Sequence, residues 1–190
     1  EGIVVMAELF AKFAGYGLDR VSVTSNWLSN FKKSWLMSNK ESELKRIEII
    51  LLQDGDSYSI LNRKVIFFDI KAKKLLQYGF EIPEEGIVFC GDEPLREEHY
   101  EKVKGCNYLF HEAFCLDSEC EKFKPHEKQH STVKDVCIMG EKLKVKNLIL
   151  VHTEDSHIKK RKELYTKEGK KFFSGNLYVP DDGERIYIHR

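Results

Sequence analysis

Five polar residues that could carry metal or acid–base chemistry lie at the ends of apolar runs or just before a helix start. They are Asp92, His111, Glu112, His130 and His152. Asp92, Glu112 and His152 follow runs of β-branched and aliphatic residues, which predict strands buried on both faces. Polar residues at the ends of neighbouring strands of such a sheet meet in one crevice. Carboxylate and imidazole groups brought together there are typical ligands of Zn²⁺ or Mn²⁺.

The elements that must position these residues are predicted as strands alternating with helices. Buried strands are predicted within residues 86–90, 108–112 and 147–151, and Ser131 or Thr132 can cap a helix over residues 133–143. A charged helix over 157–169 and a last strand over 185–188 follow. The pattern therefore predicts an α/β fold with the polar strand ends on one side.

The first part of the chain shows a different pattern. Helical spacing of apolar residues predicts helices over residues 3–15 and 27–36, and β-like runs at 47–52 and 64–70 flank a turn signal at Asp54-Gly55. These runs indicate antiparallel hairpins. The apolar opening helix could also promote a homodimer if one of its faces is exposed.

Composition limits the class of protein. With 190 residues, of which 42% are hydrophobic, the chain has enough apolar material for one core, so we expect a single domain over residues 1–190. The 31 basic and 31 acidic residues balance, which neither suggests nor excludes a nucleic-acid substrate. No apolar run approaches the roughly 20 residues of a membrane helix. Five cysteines, an odd number, favour a reducing, cytoplasmic setting over a disulfide framework.

Four short motifs carry a resemblance to a known family. They are Gly91-Asp92, His111-Glu112-Ala113, His130-Ser131-Thr132 and Val151-His152. Their key residues, Asp92, Glu112, His130 and His152, are separated by 20, 18 and 22 residues. This order and spacing resemble the C-terminal half of the metallo-β-lactamase superfamily. The ribonuclease Z branch is the most similar, over residues 64–155. The resemblance implies a metallo-β-lactamase-like αβ/βα sandwich, here incomplete at the N-terminus.

The resemblance also implies a role for each motif residue. Asp92 is similar to the aspartate that bridges two metal ions, and His152 to the last metal ligand. His130 resembles the histidine that protonates the leaving group, and Glu112 the carboxylate that orients that histidine. His111 is expected to be a buried, hydrogen-bonded neighbour of the site.

The chain departs from the family in its metal ligands. All seven histidines follow residue 98, so the His-x-His-x-Asp-His motif is absent, and lysines occupy residues 71–74, where a further family histidine is expected. Asp92 and His152 alone would hold one or two zinc ions, or manganese, weakly or not at all, because a catalytic zinc normally has three protein ligands. Two interpretations stay open: a fragment of a complete domain, or a degenerate homologue.

The function that the resemblance implies is that of a metal-dependent hydrolase of the phosphodiesterase or ribonuclease Z type, with attack by a metal-bound hydroxide. The alternative is a non-catalytic scaffold or binding protein on the same fold. RNA or another phosphodiester is the expected substrate. The family's long transfer-RNA-binding arm is not expected, because only about 20 residues separate Lys71 from Asp92.

Overall fold

The computed structural model describes residues 52–73 and 76–188. The helices predicted over 3–15 and 27–36, and all but the last residue of the strand predicted over 47–52, lie outside the described residues. Residues 53–73 and 77–190 belong to one compact unit, and the fold below is that of its described part.

One seven-stranded mixed sheet is the centre of this unit. Its strands lie side by side in chain order: β1 (Ser57–Ile60), β2 (Arg63–Asp69), β3 (Tyr78–Ile82), β4 (Ile87–Phe89), β5 (Tyr108–Glu112), β6 (Asn147–Val151) and β7 (Asn176–Tyr178). Strands β1 to β4 pair antiparallel, and β4 to β7 pair parallel. The carboxyl ends of β4, β5 and β6 therefore lie along the same edge.

Helical segments connect the parallel strands, as parallel pairing requires. Helix α1 (Tyr100–Val103) lies between β4 and β5, α2 (Cys120–Phe123) and α3 (Val133–Lys142) lie between β5 and β6, and α4 (Arg161–Gly169) lies between β6 and β7. Short 3₁₀ turns at 97–99, 117–119 and 126–128 complete these connections. No helix in the described ranges is both long and apolar enough to cross a bilayer.

The core lies between the sheet and helices α3 and α4. Burial of apolar side chains on one stripe of α3 follows the helical period that the sequence shows. The largest fully buried side chains include Tyr165 of α4 and Leu109 and Leu148 of the sheet. Gly140 of α3 leaves room for this packing, because a Cβ there would lie 3.3 Å from Leu148. All five cysteines are free thiols.

A capping box fixes the first residue of α3. The Thr132 side chain accepts a hydrogen bond from the backbone N–H of Asp135, and the Asp135 carboxylate accepts one from the backbone N–H of Thr132. Two donors that helix formation leaves without partners are thereby satisfied. The start of α3 is thus held directly after His130 and Ser131.

The α/β class predicted from the sequence is confirmed, with differences at the C-terminal end. Strand β2 and helix α3 agree with the predictions to within one residue, whereas α4 begins at Arg161 rather than 157. The strand predicted over 185–188 is wrong. The position beside β6 is occupied by β7 at 176–178, and Tyr187 is 74% exposed.

Substitution Thr132→Ala should lower the free energy of unfolding by about 1 kcal/mol, because it removes the cap of α3. Thr132→Ser keeps the hydroxyl and serves as the matched control, so its loss should be clearly smaller. Urea denaturation followed by circular dichroism measures both. Equal losses in the two variants would show that the methyl group, and not the hydrogen bond, matters at this position.

Candidate functional site

The sheet brings the predicted site residues to one edge. Strand β4 is followed by Gly91-Asp92, β5 ends at Glu112, and β6 is followed by His152. His130 reaches the same edge from the loop before α3, because the backbone N–H of Phe114 donates to the Ser131 carbonyl and joins that loop to the end of β5. These placements depend on the parallel register of β4, β5 and β6.

Glu112 is a fully buried carboxylate that faces His130. Its Oε1 accepts a hydrogen bond of 2.7 Å from the backbone N–H of Ser131, and its Oε2 lies 3.7 Å from Nδ1 of His130. Oε2 and Nδ1 are both buried and have no hydrogen-bond partner in the structure. A buried carboxylate without a full set of partners favours a positive neighbour. The pair is therefore suited to orient the His130 imidazole.

Stacking holds the His130 ring in position. Its centroid lies 4.9 Å from that of Phe114, with an interplanar angle of 15°, and 5.1 Å from that of His152. The His130 side chain keeps 18% of its surface accessible. Because Nδ1 faces Glu112, Nε2 is the nitrogen available to a bound molecule. Phe114 directly follows the His111-Glu112-Ala113 motif, but the sequence alone indicates no role for its ring.

Asp92 and His152 interact electrostatically at the same edge. The Oδ1 atom of Asp92 is buried and has no hydrogen-bond partner. Partial removal from water lowers the pKa of His152, and repulsion by His130 lowers it further, whereas the carboxylates of Asp92 and Glu112 act in the opposite direction. His152 is exposed as a whole residue, although its ring packs against the His130 ring. Its neutral form, which is the form that binds metals, is favoured.

The backbone at His152 is strained. Its φ of 50° lies in the left-handed region, which a non-glycine residue adopts at a cost of roughly 1–2 kcal/mol. Gly91, directly before Asp92, has a φ of 79°. A left-handed residue therefore lies at the end of each of two strands and turns the chain at the site. Strain of this kind is concentrated at functional sites, and the sequence alone did not reveal it.

His111 is buried beside the site. Its Nδ1 lies 2.7 Å from the carbonyl oxygen of Glu112, and its Nε2 lies 3.1 Å from the backbone nitrogen of Leu95. This pattern requires Nδ1–H to donate and Nε2 to accept, so both nitrogens are engaged. His111 is therefore a structural, hydrogen-bonded residue, in agreement with the expectation from the sequence.

The donor set at this edge fits part of a metal centre. The unpartnered oxygen of Asp92 and the neutral imidazole of His152 are two ligands of the types that zinc and manganese take. A catalytic zinc takes three protein ligands. Asp92 and His152 could therefore supply part of such a set.

Comparison with known proteins places these motifs in context. No family model matches the chain. Over 120 residues the chain is 32% identical to ribonuclease Z from Nitrosopumilus maritimus strain SCM1. The match covers 60% of this chain and 37% of that protein, so the chain spans little more than a third of its relative's length.

Solved structures share the fold. The metallo-β-lactamase fold protein YhfI from Bacillus subtilis is 15% identical with a TM-score of 0.57, over 76% of this chain and 60% of that one. A diphosphatase of the PhnP family is 18% identical with a TM-score of 0.53, over 75% and 50%. Human tRNase Z, short form, is 18% identical with a TM-score of 0.50, over 74% and 47%. These likenesses show the metallo-β-lactamase fold that the sequence motifs predicted.

In metal-free protein, the pKa of His152 should lie below the ordinary value of about 6.5. Asp92→Asn should lower that pKa further, because it removes a charge that favours the imidazolium form. His130→Phe keeps a ring at this position and removes a positive neighbour, so it should raise the pKa. Titration of the histidine ring protons by NMR measures all three values. A fall with His130→Phe would contradict the described coupling.

Proposed function

We propose that this chain, a ribonuclease Z-like member of the metallo-β-lactamase fold, is a metal-dependent phosphodiesterase with its site at the carboxyl ends of β4, β5 and β6. One observation carries the proposal: the unpartnered oxygen of Asp92 and the His152 imidazole lie at the same edge as a histidine backed by a buried glutamate. This arrangement combines part of a metal centre with an acid–base group.

Asp92 and His152 are the residues that would hold the metal. A divalent cation, when bound there, supplies Lewis-acid activation of water and of the phosphoryl oxygens. The neutral state of His152 and the desolvated oxygen of Asp92 keep both ligands ready to bind. Zinc is the first candidate for the cation and manganese the second.

His130 donates the proton that the leaving oxygen requires. Its Nδ1 faces the Glu112 carboxylate, which orients the ring, and its Nε2 delivers the proton to the departing group. Stacking on Phe114 limits rotation of the ring and so maintains this orientation. Glu112 touches no reacting atom in this scheme, so it is a positioning residue.

RNA is the substrate class we propose. Ribonuclease Z and human tRNase Z are among the proteins similar to this chain. Two lysines lie near His130: Lys128 Nζ is 5.6 Å from the Phe114 ring, and Lys122 Nζ is 4.3 Å from the Phe123 ring, which packs edge-on against Phe114. Positive charge next to aromatic rings suits a phosphodiester backbone with stacked bases. The homodimer and the cytoplasmic location stay predictions.

Substitution His130→Ala should lower kcat by roughly 10²–10⁴-fold on an RNA substrate, whose poor leaving oxygen needs a proton. The loss should be much smaller on bis(p-nitrophenyl) phosphate, because p-nitrophenolate leaves without protonation. Steady-state kinetics on both substrates, with metal content measured in the same samples, tests this expectation. Equal losses on the two substrates, or loss of bound metal, would contradict the proton-donor role.

Substitution Asp92→Asn should lower kcat/KM by roughly 100-fold or more at every zinc or manganese concentration, because it removes a metal ligand. Asp182→Asn, at an exposed position, is the control and should leave the activity unchanged. Hydrolysis of bis(p-nitrophenyl) phosphate across a metal titration measures both. The same metal dependence in the Asp92→Asn variant as in the parent chain would argue against direct coordination, and absence of hydrolysis in the parent chain would overturn the proposed function.

A further inference from the structure

A second group of metal-ligating side chains lies outside the site described above. Glu119, Glu154 and His157 each offer one oxygen or nitrogen atom, and these three atoms all lie within 4.8 Å of one another. Glu119 ends the 3₁₀ turn at 117–119, whereas Glu154 and His157 lie in the loop between β6 and α4. None of the three has a part in the proposed hydrolysis.

Glu154 shows that this group is more than a surface ion pair. The residue is only 8% exposed, and its Oε1 is buried without a hydrogen-bond partner. Its other oxygen, Oε2, accepts a hydrogen bond of 2.6 Å from the backbone N–H of Ser156. A buried carboxylate oxygen without a partner is costly unless a cation compensates for it.

The side chains around Glu154 do not supply that compensation. The Tyr165 hydroxyl is nearby, but it donates to the carbonyl oxygen of Phe114 at 2.9 Å. His157 Nε2 lies 3.0 and 3.1 Å from the two oxygens of Glu119. Lys122 also reaches Glu119, with Nζ 3.5 Å from its Oε1. His157 and Lys122 therefore contact Glu119, and the buried Arg161 guanidinium donates to Thr153 and Asp181. The Oε1 atom of Glu154 remains without a hydrogen-bond partner.

We propose that Glu119, Glu154 and His157 form a binding site for a divalent transition-metal ion, with zinc as the preferred ion. The ligands are one oxygen of Glu119, Oε1 of Glu154 and Nε2 of His157, and water completes the coordination. One imidazole with two carboxylates is a mixed nitrogen and oxygen set of the kind that zinc takes. The ion replaces the proton between His157 and Glu119 and neutralises the buried carboxylate.

The geometry needs only small adjustments to reach coordination. Zinc binds nitrogen and oxygen ligands at about 2.0–2.2 Å, so tetrahedral ligand atoms lie about 3.4 Å apart. Side chains of Glu119 and His157 are 19% and 32% exposed, so both can rotate and leave a path for the ion from solvent. Glu154 is the fixed, buried ligand of the set.

The expected role of this site is structural. Glu119 and His157 are 38 residues apart in the chain, so the ion would cross-link the 3₁₀ turn at 117–119 to the loop that begins at His152. A ligand that binds only the folded state stabilises that state. Zinc bound here should therefore raise the unfolding temperature without taking part in hydrolysis.

Zinc titration in a background that lacks the other site tests this inference. The full chain carrying Asp92→Asn and His152→Ala, stripped of metal with a chelator, is titrated with Zn²⁺ by calorimetry and by thermal unfolding. We expect one equivalent of zinc to bind and Tm to rise. Adding Glu119→Gln or His157→Gln should each reduce the zinc affinity at least tenfold and abolish the rise in Tm.

His126→Gln is the matched control, because His126 also pairs with one carboxylate, its Nε2 lying 2.8 Å from Asp135. Among the residues that the structure describes, His126 belongs to no group of three ligand atoms that could hold a metal. This substitution should leave zinc binding unchanged. Absence of zinc binding in the background chain, or an equal loss in the His126→Gln variant, overturns the inference. Circular dichroism confirms folding of each variant, and the half-buried position of His157, compared with the buried Glu154, makes its substitution the decisive one. The proposed function is unaffected by either result, because the background already lacks that site.

Discussion

The burial of the Glu112 carboxylate is the constraint on which the site depends. This group lies at the end of a central strand, is completely removed from solvent, and has a backbone N–H as its hydrogen-bond donor. A charged hydrogen bond of this kind contributes about 1.5–3 kcal/mol, which offsets only part of the cost of dehydration. The same hydrogen bond holds the end of β5 against the loop that carries His130.

Three consecutive residues connect this constraint to the helix behind the site. His130 provides the ring, Ser131 provides the N–H that binds Glu112, and Thr132 caps α3. A change in where α3 begins would therefore move the His130 ring and the N–H that binds Glu112 together. The cap of α3 and the placement of the His130 ring therefore depend on the same short segment.

Much of this arrangement could be predicted from the sequence, because it depends on patterns local to each segment. The apolar runs identified β4, β5 and β6, and the polar residue after each run identified the site edge. The pairing of Phe114 with His130 could not be predicted, since it depends on a loop folding back on the end of β5. The unpartnered oxygen of Glu154 is also a tertiary result, because nothing in its neighbourhood in sequence shows that it will be buried.

The wrong prediction of a strand over residues 185–188 has a similar cause. Residues 185–188 alternate between polar and apolar side chains, as a strand does. This alternation does not determine which segment pairs with the edge strand of a sheet. The three residues of β7 are mostly exposed and lack a strong apolar pattern, yet they pair with β6.

The order of the strands also has a consequence for how the molecule folds. Strands β1 to β4 pair with near neighbours in the chain, whereas β5 and β6 join residues as far apart as Tyr108 and Asn147. Closing the longer loops costs more chain entropy, so we expect the hairpins to form early and the parallel half to form late. During synthesis on the ribosome, the Glu112 carboxylate would then be enclosed only after β6 has been synthesised and paired with β5.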